Sequence, residues 1–368
     1  MTTGRMRPAG RPAELRFAGG GIRLPAFLPD ATRAVLKGLD AEDLRNCGIA
    51  GVVVNTFHLM AEPGATVIAG AGGVKKFMGW DGLAVSDSGG FQLLSMLYRD
   101  KSAGTVTDEG VIFHRSQGGK RRKYSLTPES SIRVQFALGA DIMFCLDDCP
   151  PPGAKREKVE ACARRTVEWA KCSKEEFEKE AAARGGTRPL LFAVIQGGND
   201  RKLREECAAA LVRTGFDGFG FGGWPLDESG EVDAELLGFV AGLCPADKPR
   251  FALGVGSPRA LVEGTKRGYD IFDCSLPSRD ARHKRLYVFE SDPPDPERVA
   301  TLNIGAEKFT RDTRPIGERC DCLACRRYSR AYLHHLFEVE DPLAMRLSTI
   351  HNLCTWAVMI ETLQKGAK

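Results

Sequence analysis

Short apolar runs recur along the chain, and each closes on polar or glycine residues. They are Pro25–Asp30, Val52–Thr56, Leu83–Asp87, Ile142–Asp147, Leu190–Gln196, Phe219–Gly223, Phe251–Gly256 and Asp270–Asp273, eight in all. Their apolar positions are continuous rather than alternating, the pattern of parallel strands buried on both faces. Helix signals fill the gaps. Asp40 stands as an N-cap before Ala41–Arg45, and Thr127-Pro128-Glu129 sets a cap, a proline at the first helical position and an acid in the first turn. Arg156–Ala183 is long and laced with charge, Asp200–Thr214 and Asp233–Leu243 follow, and Ser257-Pro258 opens a further helix to Thr265. Strands and helices in alternation predict an α/β fold, a (β/α)8 TIM barrel. A doubly wound sheet is the alternative, because closure leaves no mark in a single sequence.

Two stretches break the rhythm. Val106–Leu126 reads as a β-hairpin inserted on the barrel, with Ser116-Gln117-Gly118-Gly119 at its turn. After residue 290 the pattern changes: Ser291–Arg298 is an acidic, proline-rich loop, then come a cysteine cluster, a helical stretch Ser329–Phe337 and a last helix from Ser348. The division expected is a catalytic barrel over residues 1–290, with its hairpin near 106–126, and over 291–368 a metal-binding subdomain and a C-terminal helix packed on the barrel.

Composition adds exclusions. The chain has 368 residues, 43% hydrophobic and 27% charged, with a net charge of +4. A core can form, and any surface for a polyanion must be local. The basic N-terminus (Arg5, Arg7, Arg11, Arg16) lacks the apolar segment of a secretory signal, and no run suits a membrane span. A soluble, cytoplasmic protein is the expectation. Of twelve cysteines, Cys145, Cys162, Cys207 and Cys244 sit inside apolar runs, as small core residues do. Cys320, Cys322 and Cys325 crowd into a polar, basic stretch, which in a reducing compartment points to a metal. With a histidine they make a closed tetrahedral set of the structural zinc type. On spacing, His334, His335 and His351 all compete for the fourth place.

In a TIM barrel the active site lies at the C-terminal ends of the strands. Those ends carry Asn55-Thr56, Asp87, Asp147, Gln196, Gly222-Gly223, Gly254 to Gly256 and Asp273. Each acid alone suits a turn or a helix cap. Together they suit chemistry: two carboxylates flanking a glycosidic bond act as nucleophile and acid/base. A third acid and an amide can read a purine edge, and glycines let backbone N–H groups approach a flat ring. The residues alone leave glycoside chemistry, N-glycoside chemistry and sugar isomerisation open. No lysine ends a strand, as an aldolase would require.

Particular motifs narrow the choice. Ser86-Asp87-Ser88-Gly89-Gly90-Phe91-Gln92 resembles a signature of tRNA-guanine transglycosylases, and so does Phe272-Asp273-Cys274-Ser275-Leu276-Pro277-Ser278-Arg279 with Arg282. Asn55-Thr56-Phe57-His58-Leu59, Val194-Ile195-Gln196-Gly197-Gly198 and Leu253-Gly254-Val255-Gly256 match in order, so that the similarity spans about Leu24 to His351. The resemblance implies exchange of a tRNA guanine at the wobble position of GUN anticodons for a 7-deazaguanine base of the queuosine pathway. Asp273 would be the nucleophile on C1′ and Asp87 the acid/base. Asp147, Gln196, Gly223, Ser88, Cys149, Leu253 and Gly254 would bind the base, and Phe91 would stack on it. Arg279, Arg282, Lys284 and Arg285 would meet the tRNA. The resemblance selects His351 to complete a zinc (Zn2+) site with Cys320, Cys322 and Cys325, and it implies a homodimer.

The chain departs from the pattern at Gly223-Trp224-Pro225-Leu226, where bulkier residues line the pocket for the 7-substituent and Pro225 removes a backbone donor. Cys149 is of the bacterial type, and the two clues leave the physiological base open. Further basic residues (Arg311, Arg314, Arg319, Arg326, Arg327 and Arg330) surround the cysteines, and Gly118 to Lys123 is a weaker tRNA contact. Three rivals remain: a DNA-modifying relative, a non-catalytic tRNA-binding partner subunit, and an unrelated barrel glycosidase.

Overall fold

A computed structural model describes residues 7–117, 120–224, 231–318 and 320–366. Each of the eight apolar runs overlaps a strand: β1 Ala26–Pro29, β2 Gly51–Val54, β3 Leu83–Ser86, β4 Ile142–Phe144, β5 Leu190–Ile195, β6 Gly218–Phe221, β7 Arg250–Ala252 and β8 Ile271–Cys274. They pair in parallel in the order β1-β8-β7-β6-β5-β4-β3-β2. A parallel bridge from Asp30 to Val53 joins β1 to β2. The sheet closes into a barrel, so the doubly wound alternative falls away. Most strands stop short of the polar residue that ends each run. Beyond the last paired residue the backbone leaves the sheet, and those side chains spread over the mouth.

The lumen is packed by Leu28, Val85, Phe144, Phe192, Val194, Phe251 and Ile271. A hairpin ahead of β1, Glu14–Phe17 with Gly20–Arg23, sends Leu15 and Ile22 into the same cluster and plugs the N-terminal end. At that end Arg7 and Arg11 ion-pair with Asp270, which opens β8. The basic N-terminus thus buries two of its arginines in structure. The C-terminal mouth is the end of the barrel that stays open.

Helices cover the strands where the caps predict them. Asp40 caps Ala41–Asn46, Thr127 caps Pro128–Leu138, Asp200 caps Arg201–Thr214, Asp233 caps Ala234–Leu243 and Ser257 caps Pro258–Lys266. Arg156–Arg184 forms without a side-chain cap. The sequence reading missed Thr56–Ala61, Gly90–Arg99 and Leu276–Arg282. The first and last are too short to show a period, and the middle one opens on glycines that read as a break. The predicted hairpin forms from Val111–Gln117 and Lys120–Leu126, and Gly104–Val106 adds a third strand. Its turn at Gly118-Gly119 lies outside the described residues.

Beyond β8, Arg285–Phe289 pairs antiparallel with Val299–Asn303, and the acidic loop Ser291–Arg298 joins them. The final helix runs Pro342–Lys365, six residues earlier than the expected start at Ser348, because Asp341 caps it through Leu343 N–H with Pro342 behind. It packs against Pro258–Lys266, Ala41–Asn46 and β1, the position of the eighth barrel helix. Trp356 Nε1 donates to Gly256 O at 2.8 Å, and Asn352 Nδ2 donates to Pro277 O and Arg285 O, both at 3.0 Å. The C-terminal helix therefore holds the β7 and β8 ends that carry the site. No helix among the described residues is long and apolar enough to cross a membrane.

Candidate active site at the barrel mouth

Asp87 follows β3 and is gripped by donors. Thr56 N–H and Gly89 N–H reach its Oδ1 at 2.8 and 3.0 Å, and Asn55 Nδ2 reaches its Oδ2 at 2.5 Å. Asn55 works with both ends, since its Oδ1 caps the helix Thr56–Ala61 through His58 N–H at 2.9 Å. Burial pushes the Asp87 carboxyl up to about 7, outweighing the three donors that favour its anion. A group poised there gives and takes a proton with equal ease at neutral pH.

Asp273 lies in β8, buried, with Gly254 N–H on its Oδ1 at 2.8 Å. Gly254 has φ +72°, a backbone that turns its N–H onto the carboxylate and that favours glycine. Burial, and then the charge of neighbouring Asp30, hold the Asp273 carboxyl well above the ordinary range. Asp30, the residue after β1, lies within hydrogen-bonding reach of Asp273, and burial raises it to about 6. The sequence reading passed over Asp30, although it is an acid closing the first apolar run just as Asp87 and Asp147 close later ones.

Asp147 and Gln196 stand side by side after β4 and β5. Gln196 Nε2 donates to Asp147 Oδ2 at 2.7 Å, and Ser88 Oγ lies 3.5 Å from Oδ1. Burial raises the Asp147 carboxyl to about 6. Gln196 Oε1 is buried and has no partner among the described residues. Such an acceptor calls for a donor from a ligand. Gly222 is glycine for space: a Cβ there would stand 2.6 Å from Gln196 Nε2. A second missed residue, Arg204, fixes this wall. It is 1% exposed, and its guanidinium donates to the carbonyls of Ile195, Gly198 and Gly222 at 2.7–2.8 Å. It lies over the Phe221 ring at 4.5 Å, and burial lowers it to about 10. In sequence it is one charge among several on a helix, and only burial singles it out.

Phe91 and Trp224 meet over the opening with ring centroids 5.4 Å apart, both 41% exposed. Two large rings left in solvent at a pocket rim suit a flat ligand. Cys149 is buried in this wall, and Tyr98 OH donates to its carbonyl at 2.7 Å. Leu253 packs on the lumen core below. Gly223 has φ +102° and lies beside the Gln196 amide. Pro225 and Leu226 fall outside the described residues.

Arg279 is exposed on the helix Leu276–Arg282, 3.5 Å from Asp280, and Arg282 is half-buried there with Nη1 on Ser278 O at 2.8 Å. Lys284 leans on Glu338 at 3.3 Å, and Arg285 lies 3.6 Å from Asp280. Near the cysteines Arg326 and Arg327 are exposed, while Arg330 is taken up by Asp312 and Ile316 O. Arg319 lies outside the described residues.

Cys320, Cys322, Cys325 and His351 gather with all four ligand atoms within 4.8 Å of one another. His351 Nε2 donates to Tyr287 O at 2.8 Å, which leaves Nδ1 facing Cys325 Sγ at 3.3 Å and Cys322 Sγ at 3.8 Å. A backbone carbonyl that accepts from the far ring nitrogen and so fixes the tautomer is typical of a ligating histidine. The rivals drop out: His334 is buried against Ile304 O and Thr310, and His335 is exposed outside the cluster. Three thiols and one imidazole nitrogen fit a metal ion, with no place left for a substrate.

A closed barrel with buried carboxylates converging at its mouth defines a TIM-barrel enzyme. A family model described as queuine tRNA-ribosyltransferase matches residues 7–366. The queuine tRNA-ribosyltransferase of Solidesulfovibrio magneticus is 38% identical over 359 residues, 97% of this chain and 91% of that one. That of Ruegeria pomeroyi is 40% identical over 336 residues, 91% of this chain and 83% of that one. That of Staphylococcus aureus is 39% identical over 350 residues, covering 95% and 86%. The chain belongs to the queuine tRNA-ribosyltransferase family, which is a family of pentosyltransferases.

Proposed function

We propose that this protein exchanges the wobble-position guanine of GUN-anticodon tRNAs for a 7-deazaguanine through a covalent intermediate on Asp273. The observation that carries the reading is the pairing, at one mouth, of Asp273 on Gly254 N–H with Asp87 on three donors, beside the Asp147–Gln196 wall. The Asp273 carboxylate attacks C1′ of the ribose as the C–N bond breaks, and the departing guanine takes that electron pair and the proton held by Asp87. In the return step the incoming base gives its N–H proton to Asp87, its nitrogen bonds to C1′, and Asp273 leaves as the carboxylate.

The rest of the site serves recognition in this reading. Guanine offers adjacent N–H donors, and Asp147 with the unpartnered Gln196 Oε1 offers acceptors. Gly223 brings backbone close to the ring, Ser88 and Cys149 line the wall, and Phe91 and Trp224 cover the base. Arg279 and Arg282 contact the nucleotides flanking the target, and Lys284 and Arg285 extend the basic strip. Residues 1–290 carry the chemistry, residues 291–368 are the subdomain held by zinc, and the protein works as a homodimer. A bound zinc would tie residues 320–325 to the C-terminal helix through His351 and would take no part in the reaction.

The test is trapping on a denaturing gel. Wild-type protein with a GUN-anticodon tRNA should give a covalent protein–RNA band, and Asp273→Ala should give none while still binding the tRNA. A band retained by Asp273→Ala would overturn the nucleophile assignment.

A further inference from the structure

The carboxylate that the proposed reaction requires has an unusual neighbour. Strands β1 and β8 are adjacent, with Asp273 in register with Leu28 and Cys274 with Pro29. Side chains alternate along a strand. Leu28 and Ile271 pack in the lumen, so Asp30, two residues past Leu28, and Asp273, two residues past Ile271, face the same interior. The strand ends thus bring two carboxyl groups within hydrogen-bonding reach over the barrel axis. Asp87, which follows β3, is the other carboxyl that acts on Asp273, and the Cys274 thiol lies near the pair from the opposite face of β8. The leading charges that act on Asp273 are those of Asp30 and Asp87, both carboxylates. Two buried carboxylates in contact, with no cation paired to them among the described residues, do not both ionise: they hold one proton between them.

We propose that Asp30 is a positioning residue for the nucleophile: it shares one proton with Asp273, takes that proton as Asp273 attacks, and donates it as a hydrogen bond to the Asp273 carboxylate. The proposal rests on the reading of Asp273 as nucleophile. Gly254 N–H already holds Oδ1 of Asp273. With Asp30 as a second donor, the carboxylate is fixed from two sides and cannot swing away from C1′. The proton rests on Asp30 while Asp273 is the attacking or departing carboxylate, and it returns to Asp273 in the resting pair. The electron pair for the C1′–O bond comes from Asp273, the pair of the broken C–N bond leaves with the base, and Asp87 serves the proton of the base. Asp30 acts through Asp273 and touches neither base nor leaving group.

Two arms test this. In the first, adduct formation with tRNA is followed in a single turnover at neutral pH. Asp30→Leu keeps the bulk and removes the donor, and should slow the adduct about 10–100-fold, the worth of one hydrogen bond to a charged group. Its tRNA Kd should not move. Asp30→Asn restores a donor without the shared proton and should recover most of the rate. Equal rates for the Leu and Asn variants would overturn the proposal. In the second arm, infrared difference spectra of wild type against Asp30→Asn at pH 8, without substrate, should show a protonated-carboxyl band that the variant loses. Its absence would also overturn the proposal. The second arm needs no activity. A wild type that shows the band but forms no adduct would therefore count against the exchange reaction and not against the shared proton.

Discussion

Asp147 and Asp148 are neighbours in the chain and differ in what answers them. Asp148 is buried against the Arg165 guanidinium, an ion pair that anchors the helix Arg156–Arg184 under the mouth. Asp147 meets an amide and a hydroxyl, and burial holds it near 6 instead of its ordinary 3.8. A carboxyl raised in this way gains its proton as pH falls through about 6, and once protonated it no longer accepts two N–H donors. The KM for guanine should therefore climb as pH drops from 7 to 5, and Asp147→Asn should bind guanine weakly at every pH with no such inflection. A wild-type KM flat over that range contradicts the role. Legibility in the sequence also divides residue by residue. Asp87, Asp147, Gln196 and Asp273 were readable because a polar residue closing an apolar run has a position in a barrel. Asp30 closes a run equally well, but only the β1–β8 register places it against Asp273. Arg204 left no trace in sequence, since nothing in a helix of charged residues tells which guanidinium turns inward.

At the scale of elements, the strands were legible as continuous apolar runs and the longer helices through their caps. The short helices at the mouth were not, because six or seven residues hold fewer than two turns of pattern. The C-terminal helix completes the outer ring of the barrel while bonding the β7 and β8 ends through Trp356 and Asn352. This integration sets the consequence of losing the metal site. Cys320→Ser should bind less zinc by elemental analysis and unfold at lower temperature. Its exchange activity should fall together with the folded fraction, because His351 sits on the helix that holds those strand ends. A metal-free Cys320→Ser protein with an unchanged unfolding midpoint would remove the structural role from the cluster.

For the whole molecule, the closed N-terminal end and the open mouth give the barrel one working face. The plug of Leu15 and Ile22 and the Asp270 ion pairs seal one side, while Asp87, Asp273, Asp147 and Gln196 gather at the other. Arg279 and Arg282 stand beyond that face, where an anionic polymer presenting one nucleotide to the mouth would lie. The net charge of +4 gives no hint of this, because the basic strip is offset by acids elsewhere. The most direct measurement is incorporation of labelled guanine into a tRNA with a GUN anticodon, with Asp273→Ala and DNA as controls, followed by a chase with each 7-deazaguanine. The account predicts label at the wobble position with wild type alone, none with the variant or in DNA, and displacement by a 7-deazaguanine. Label entering DNA instead of tRNA, or tRNA left unlabelled by the wild type, would contradict it.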